Sequence, residues 1–279
     1  MSRFSFVAAQ ESDLTEVLRL VNAHEASVDP AAPTMGESGV SDLMAGYVDE
    51  SVGHLVFDGQ QAANPAGSRP VGYVQLHPDA NRELFFPDVY FDPAVSDLKE
   101  LTRAAVQFMV DHASEVQPTW ELRPGMNIKD ALLIETYSAL GFEFLRKYWS
   151  LSRELAPGEP QPTLPEGVEI RLVEDSPEDL ATLHGLHQDS FSNHFGFKPR
   201  EREEWIRLEI ERETREPAGN IFLLEAGKPV GFLLSANEME HENGGYVDLL
   251  GVVHSAQGKG YGKLHLQGSI AYNSGLGRG

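Results

Sequence analysis

The chain has 279 residues, a formal charge of −21 and no cysteine, so disulfides, thiolate nucleophiles and cysteine-based zinc sites are excluded. The acidic surplus excludes nucleic acid as a partner, because neutralising phosphates takes Lys and Arg in excess. The length suits two domains of ordinary size, and a 41% hydrophobic content supplies apolar material for a core in each.

From the N-terminus, Phe4-Ser5-Phe6-Val7 alternates as a strand. Leu14, Val17, Leu18 and Val21 then recur at helical spacing, with Ser12 or Asp13 placed to cap the helix. The apolar N-terminal run is too short for a signal peptide and no stretch approaches a membrane span, so a cytoplasmic protein without a membrane partner is expected. A strand at His54 to Phe57 and a second after Arg69-Pro70-Val71-Gly72 flank a polar Ala/Gly-rich segment, Gln60 to Ser68, which reads as a mobile loop. A central strand, Val89 to Phe91, leads through Asp92-Pro93-Ala94-Val95-Ser96-Asp97 into an amphipathic helix carrying Leu98, Leu101, Ala105, Phe108 and Met109. A strand near Trp120 to Leu122, a helix ending at Tyr137 and a last strand over Glu143 to Leu151 complete this half.

The four prolines between Ala156 and Pro165 read as an extended linker. The pattern then restarts. Val168 to Leu172 alternates, and a helix opens at Asp175-Ser176-Pro177 with Leu180, Leu183 and His187 on one face. Lys228-Pro229-Val230-Gly231-Phe232-Leu233 repeats Arg69-Pro70-Val71-Gly72-Tyr73-Val74, which an internal duplication explains. The expected boundaries are a first domain over 1–155, a linker over 156–167 and a second domain over 168–279.

The most informative stretch is YVDLLGVVHSAQGKGYGKL, Tyr246 to Leu264. An apolar strand runs into a glycine loop and then a helix, the arrangement that aims backbone N–H groups at an anion. A Walker A loop would need Gly at 257 and Ser or Thr at 264, where Gln257 and Leu264 stand. A dinucleotide fingerprint would need Gly at 263 or 265, where Lys263 and His265 stand. Gln257-x-x-Gly260-x-Gly262 fits neither. With its preceding strand it resembles the acyl-CoA pyrophosphate loop of the GNAT acetyltransferase superfamily. Tyr137-x3-Gly141-Phe142 is similar to the helix-to-strand ending of the same family.

The resemblance covers nearly the whole chain and implies an α/β (α+β) fold of two tandem GNAT-like domains, each a mixed, mostly antiparallel sheet flanked by helices. The first half has no glycine in its Asp92 to Asp97 loop, so it is expected to be a degenerate copy. The second is expected to lack its closing strands, as in a fragment. The tandem arrangement, with Phe191 to Phe197 ahead of Trp205, is similar to mycothiol-synthase-like proteins.

The resemblance further implies acetyl-CoA as co-substrate, no metal, and direct attack by the primary amine of a small molecule, in a monomer or homodimer. Amides around Leu250, Val252 and Val253 would hold the acetyl group. Those of Gln257, Gly258, Lys259, Gly260, Tyr261, Gly262 and Lys263 would hold the diphosphate. Lys259, Lys263 and Arg278, in a stretch with no acid after Asp248, would form a cleared cationic patch. Tyr246 stands where several members carry a base Glu. Asp248, two residues on, is the better candidate base, with Glu238 and Glu240 as water-mediated alternatives. His184, His187 and His194 read as helix-face or pocket residues, Tyr261 as a surface ring, and Tyr137 as a packing residue. The alternative function is a catalytically silent acyl-CoA-binding or regulatory module.

Overall fold

A computed structural model describes residues 3–45, 52–59 and 68–279; the expected loop from Gln60 lies outside the described residues up to position 67. The chain forms two compact units, Met1–Trp149 and Ser150–Gly279.

The first unit contains β1 (Phe4–Ala8), α1 (Leu14–Val28), α2 (Glu37–Ala45), β2 (Val52–Asp58), β3 (Gly72–Asp79), β4 (Leu84–Phe91), α3 (Leu98–Val116), β5 (Glu121–Leu122) and α4 (Ala131–Ala139). The sheet order is β1-β2-β3-β4-β5. Its first three pairings are antiparallel. β5 runs parallel to β4 and pairs only at Leu84 and Phe85, so the sheet opens beyond that point. Strand alternation sends Val56, Val74, Leu76 and Phe85 toward Leu101, Ala105 and Met109 of α3. Leu55, Phe57 and Tyr73 face Val17, Leu20 and Val21 of α1 on the other side.

The second unit contains β6 (Val168–Leu172), α5 (Pro177–Phe191), α6 (Arg202–Glu209), β7 (Ile221–Glu225), β8 (Lys228–Ala236), β9 (Tyr246–Val252) and α7 (Tyr261–Gly275). Its sheet runs β6-β7-β8-β9 with every pairing antiparallel. Phe222, Leu224, Phe232 and Leu234 pack against Leu183, Leu186 and Trp205. Leu223 and Val230 pack with Tyr261 and Leu264 of α7 on the opposite face. Ser176 caps α5 by accepting from the Asp179 N–H at 3.1 Å, with Pro177 in the first turn.

The repeated Pro-Val-Gly opens β3 or lies within β8 at matching places: Gly72 faces Phe91, and Gly231 faces Val252. At Gly231 the glycine is required by close approach, since an added Cβ would lie 2.6 Å from Cε1 of buried His265 on α7.

Three expectations are corrected. Glu143 to Leu151 forms no strand; it has no ladder partner and is exposed, which leaves Phe144 and Trp149 in solvent. Asp13 is the N-cap residue of α1 as expected, but its side chain makes no capping bond to the helix. A short 3-10 turn precedes the helix, and Asp13 instead accepts the Gln10 N–H at 2.9 Å. Tyr261 is buried rather than a surface ring.

Candidate acyl-CoA site

β9 carries the site to its place and is not a regular strand. Its ladder with β8 steps from Leu234–Leu249 to Ser235–Val247, which leaves Asp248 as the extra residue of a β-bulge. The pairing of β3 with β4 in the first unit has no such break. The bulge disrupts the alternation that the sequence alone would place under Tyr246 and Asp248. Past the bulge, the Val253 N–H donates to Val230 O at 2.9 Å. Antiparallel alternation therefore turns the Val252 N–H away from β8, toward the open side of the strand.

The loop follows at once. Gln257 donates through Nε2 to Val252 O at 3.0 Å, bracing the strand end. Gly258 (φ 78°) and Gly260 (φ 83°) adopt left-handed conformations that strain any side chain. Gly260 is also the N-cap of α7 and leaves the helix without a side-chain cap. The first donors of a 15-residue helix therefore face an exposed glycine loop. These residues fit a diphosphate. The corresponding helix of the first unit does not: Asp97 caps α3 with its carboxylate, accepting from Glu100 N at 3.2 Å. There the Phe91 N–H, which matches Val252 in register, donates to His24 Nδ1 at 3.4 Å.

Some predicted residues take other roles. Lys259 is not part of a cleared cationic patch; its Nζ bonds both oxygens of Glu225 at 2.7 and 2.8 Å. Tyr261 donates to the same carboxylate at 2.6 Å. Lys259 foremost, then Tyr261, holds the Glu225 carboxyl below its usual range. Arg278 bonds Asn237 and Asn273 at the far end of α7. Asp248 is engaged by Arg212 at 3.0 Å, and the same guanidinium donates to Glu238 at 2.7 Å. Burial, followed by the fields of Glu238 and Asp248, raises the pKa of the Tyr246 phenol.

Sequence reasoning missed Arg212, Glu225 and a further pair beside the site. His254, two residues past β9, takes Asp189 Oδ1 at its backbone N–H (2.9 Å) and at Nδ1 (3.2 Å), with Asn193 at Nε2. Sixty-five residues separate this pair, and no local pattern signals it. His187 is half-buried and stacked on Phe191, and burial depresses its pKa to about 4. Among the described residues no group of three or more His, Asp or Glu is arranged to hold a metal, and no helix is long and apolar enough to cross a membrane.

Residues 180–272, which span α5 to α7, match the sequence model of the acetyltransferase (GNAT) family. The chain carries a GNAT acetyltransferase domain. It is similar to the mycothiol acetyltransferases of Salinispora arenicola (30% identity over 148 residues) and Salinispora tropica (33% over 143 residues). Each match spans 48% of this chain and 44% of the relative, so the chain matches less than half the length of these proteins. In fold it resembles a GCN5-related N-acetyltransferase from Sphaerobacter thermophilus over its full length (TM-score 0.73, 17% identity, 85% of that chain). It also resembles a tandem GNAT protein from the clavulanic acid biosynthesis pathway over 96% of its length (TM-score 0.64, 13% identity, 85% of that chain). The fold is thus of the tandem GNAT type.

Proposed function

We propose that the second unit transfers an acetyl group from acetyl-CoA to a primary amine of a small molecule, by direct attack within a ternary complex. The observation that carries this reading is the uncapped α7 N-terminus behind two left-handed glycines, at the end of a bulged strand with an outward-facing amide.

In this reading the amides from Gly258 to Gly262 bind the diphosphate, those of Gln257 and Lys263 being already donated to His254 O and Gly260 O, and the helix terminus adds its partial positive charge. The Val252 N–H, with Val253 and Leu250 shaping the strand end, polarises the thioester carbonyl and stabilises the oxyanion that forms as the amine attacks. Collapse of that intermediate expels the CoA thiolate, and the nitrogen loses a proton. Asp248 stands on the strand that leads to the acetyl position and takes up that proton directly or through water, while Arg212 fixes its orientation. Tyr246, which stands at the base position of relatives, contributes a neutral phenol.

A second reading, a silent acyl-CoA-binding module, draws support from the Arg212–Asp248 pair, which occupies the candidate base. Release of free thiol from acetyl-CoA separates the two. Because the chain has no cysteine, a thiol-reactive dye has no protein background. Release stimulated by members of a primary-amine panel is the expected result. Tight acetyl-CoA binding with no release for any amine would leave the module.

A further inference from the structure

The first unit has lost the phosphate cradle, yet the opening beside its central strand is not filled. A cavity of about 40 Å³ lies between α1, β4 and α4, room for one or two water-sized groups or a single small head group. Among the described residues three carboxylates line it, Glu25, Asp88 and Asp130, and no Lys or Arg does. His24 also faces it, with Nδ1 taking the Phe91 N–H at 3.4 Å and Nε2 3.1 Å from Asp130 Oδ2. Asp88 is shared with His77 at 2.8 Å. The Tyr137 hydroxyl also lies in this wall. The residue is 4% exposed and its oxygen has no hydrogen-bond partner, an unfavourable state if nothing fills it. The packing role expected of Tyr137 accounts for its ring, which meets Phe142 edge-on at 5.0 Å, and not for its hydroxyl.

A larger cavity of about 210 Å³ adjoins the first and shares His24, Val28, Asp130 and Leu133 with it. It continues between the end of β4, α3 and α4 past Phe91, Leu98 and Leu132, so its walls are largely apolar. Lys129, which lines it, is already ion-paired with Asp29.

We infer that the first unit binds an organic ammonium ion, its charged head among Glu25, Asp88 and the Tyr137 hydroxyl and its short apolar tail along Phe91, Leu98 and Leu132. An ammonium brings up to three N–H donors to a site rich in acceptors and poor in cations. An anionic ligand meets three carboxylates, and a neutral one leaves their mutual repulsion in place. Burial, opposed by His24 and reinforced by the fields of Asp130 and Asp88, raises the pKa of the Glu25 carboxyl, as expected of a carboxylate awaiting a cation. This inference is independent of the acyl-CoA site, since every residue it uses lies in the other unit.

The test is calorimetric titration of the full chain with butylamine at neutral pH, beside 1-butanol and butyrate. Butylammonium alone should bind. Glu25→Gln and Asp88→Asn should each weaken it about tenfold or more, the loss expected for one charge-assisted hydrogen bond. Asp248→Asn in the second unit should leave it unchanged. Glu25 is half-buried and caps nothing, so its variant keeps the test intact should Asp88→Asn misfold by stranding His77. No binding of butylamine overturns the proposal, and so does equal binding of 1-butanol. Affinity lost in Asp248→Asn but kept in Glu25→Gln would overturn it as well, by moving the amine to the acyl-transfer unit.

Discussion

The Arg212 guanidinium, largely buried, bridges Asp248 on β9 and Glu238 in the turn before it, at 3.0 and 2.7 Å. One cation therefore holds two partly buried carboxylates beside the strand that leads to the acetyl position. Removing it as Arg212→Met leaves both uncompensated, a loss of about 3–5 kcal/mol for a buried pair, toward the lower end because Glu238 retains some solvent. An unfolding free energy from urea titration lowered by that amount is expected; a change within error would show that the bridge contributes nothing to folding.

Gly260 tests the loop. Gly260→Ala should cost about 1–2 kcal/mol through its left-handed backbone alone. Gly260→Asp should in addition abolish CoA binding by placing a carboxylate at the α7 N-terminus. Calorimetry with CoA checks both, and wild-type affinity in the aspartate variant would count against the loop assignment.

Glu225 keeps Lys259 and Tyr261 occupied. Glu225→Gln frees the ammonium to face a diphosphate, so CoA should bind severalfold more tightly and with a steeper salt dependence. Unchanged affinity across a salt series would show that Lys259 faces away from the ligand.

His187 and His265 fix a pH response. Burial lowers both pKa values to about 4, from about 6.5 in the unfolded chain. Between these values the unfolded state binds the extra protons. The stabilisation they provide is therefore complete above about pH 6.5 and is lost as pH falls toward 4, at up to ~1.4 kcal/mol per pH unit for each residue. Unfolding free energies of wild type and His187→Phe from pH 7 to 4 should diverge in slope; parallel profiles would exclude His187 as a contributor.

The duplicated Pro-Val-Gly and the strand–glycine–helix order were legible because they are local: a close approach to His265 demands a glycine, and a left-handed turn demands another. The bulge at Asp248 was not legible, because it exists only in the register between two strands. The Asp189–His254 pair and the Arg212 bridge join residues far apart in sequence, and charge counting treated Lys259 as free although Glu225 lies beside it in the fold. Glu143 to Leu151 shows the converse. The family-like ending at Gly141-Phe142 pointed to a strand there, and a ladder forms only where a partner edge is available.

The most direct measurement is a crystal structure of the chain with CoA. The diphosphate should lie within hydrogen-bonding distance of the amides between Gly258 and Gly262, with Gly258 and Gly260 still left-handed and the Val252 N–H facing the sulfur end. Phosphates bound elsewhere, or a loop that closes over the α7 N-terminus and leaves no amide free, would contradict the assignment of this domain as an acyl-CoA site.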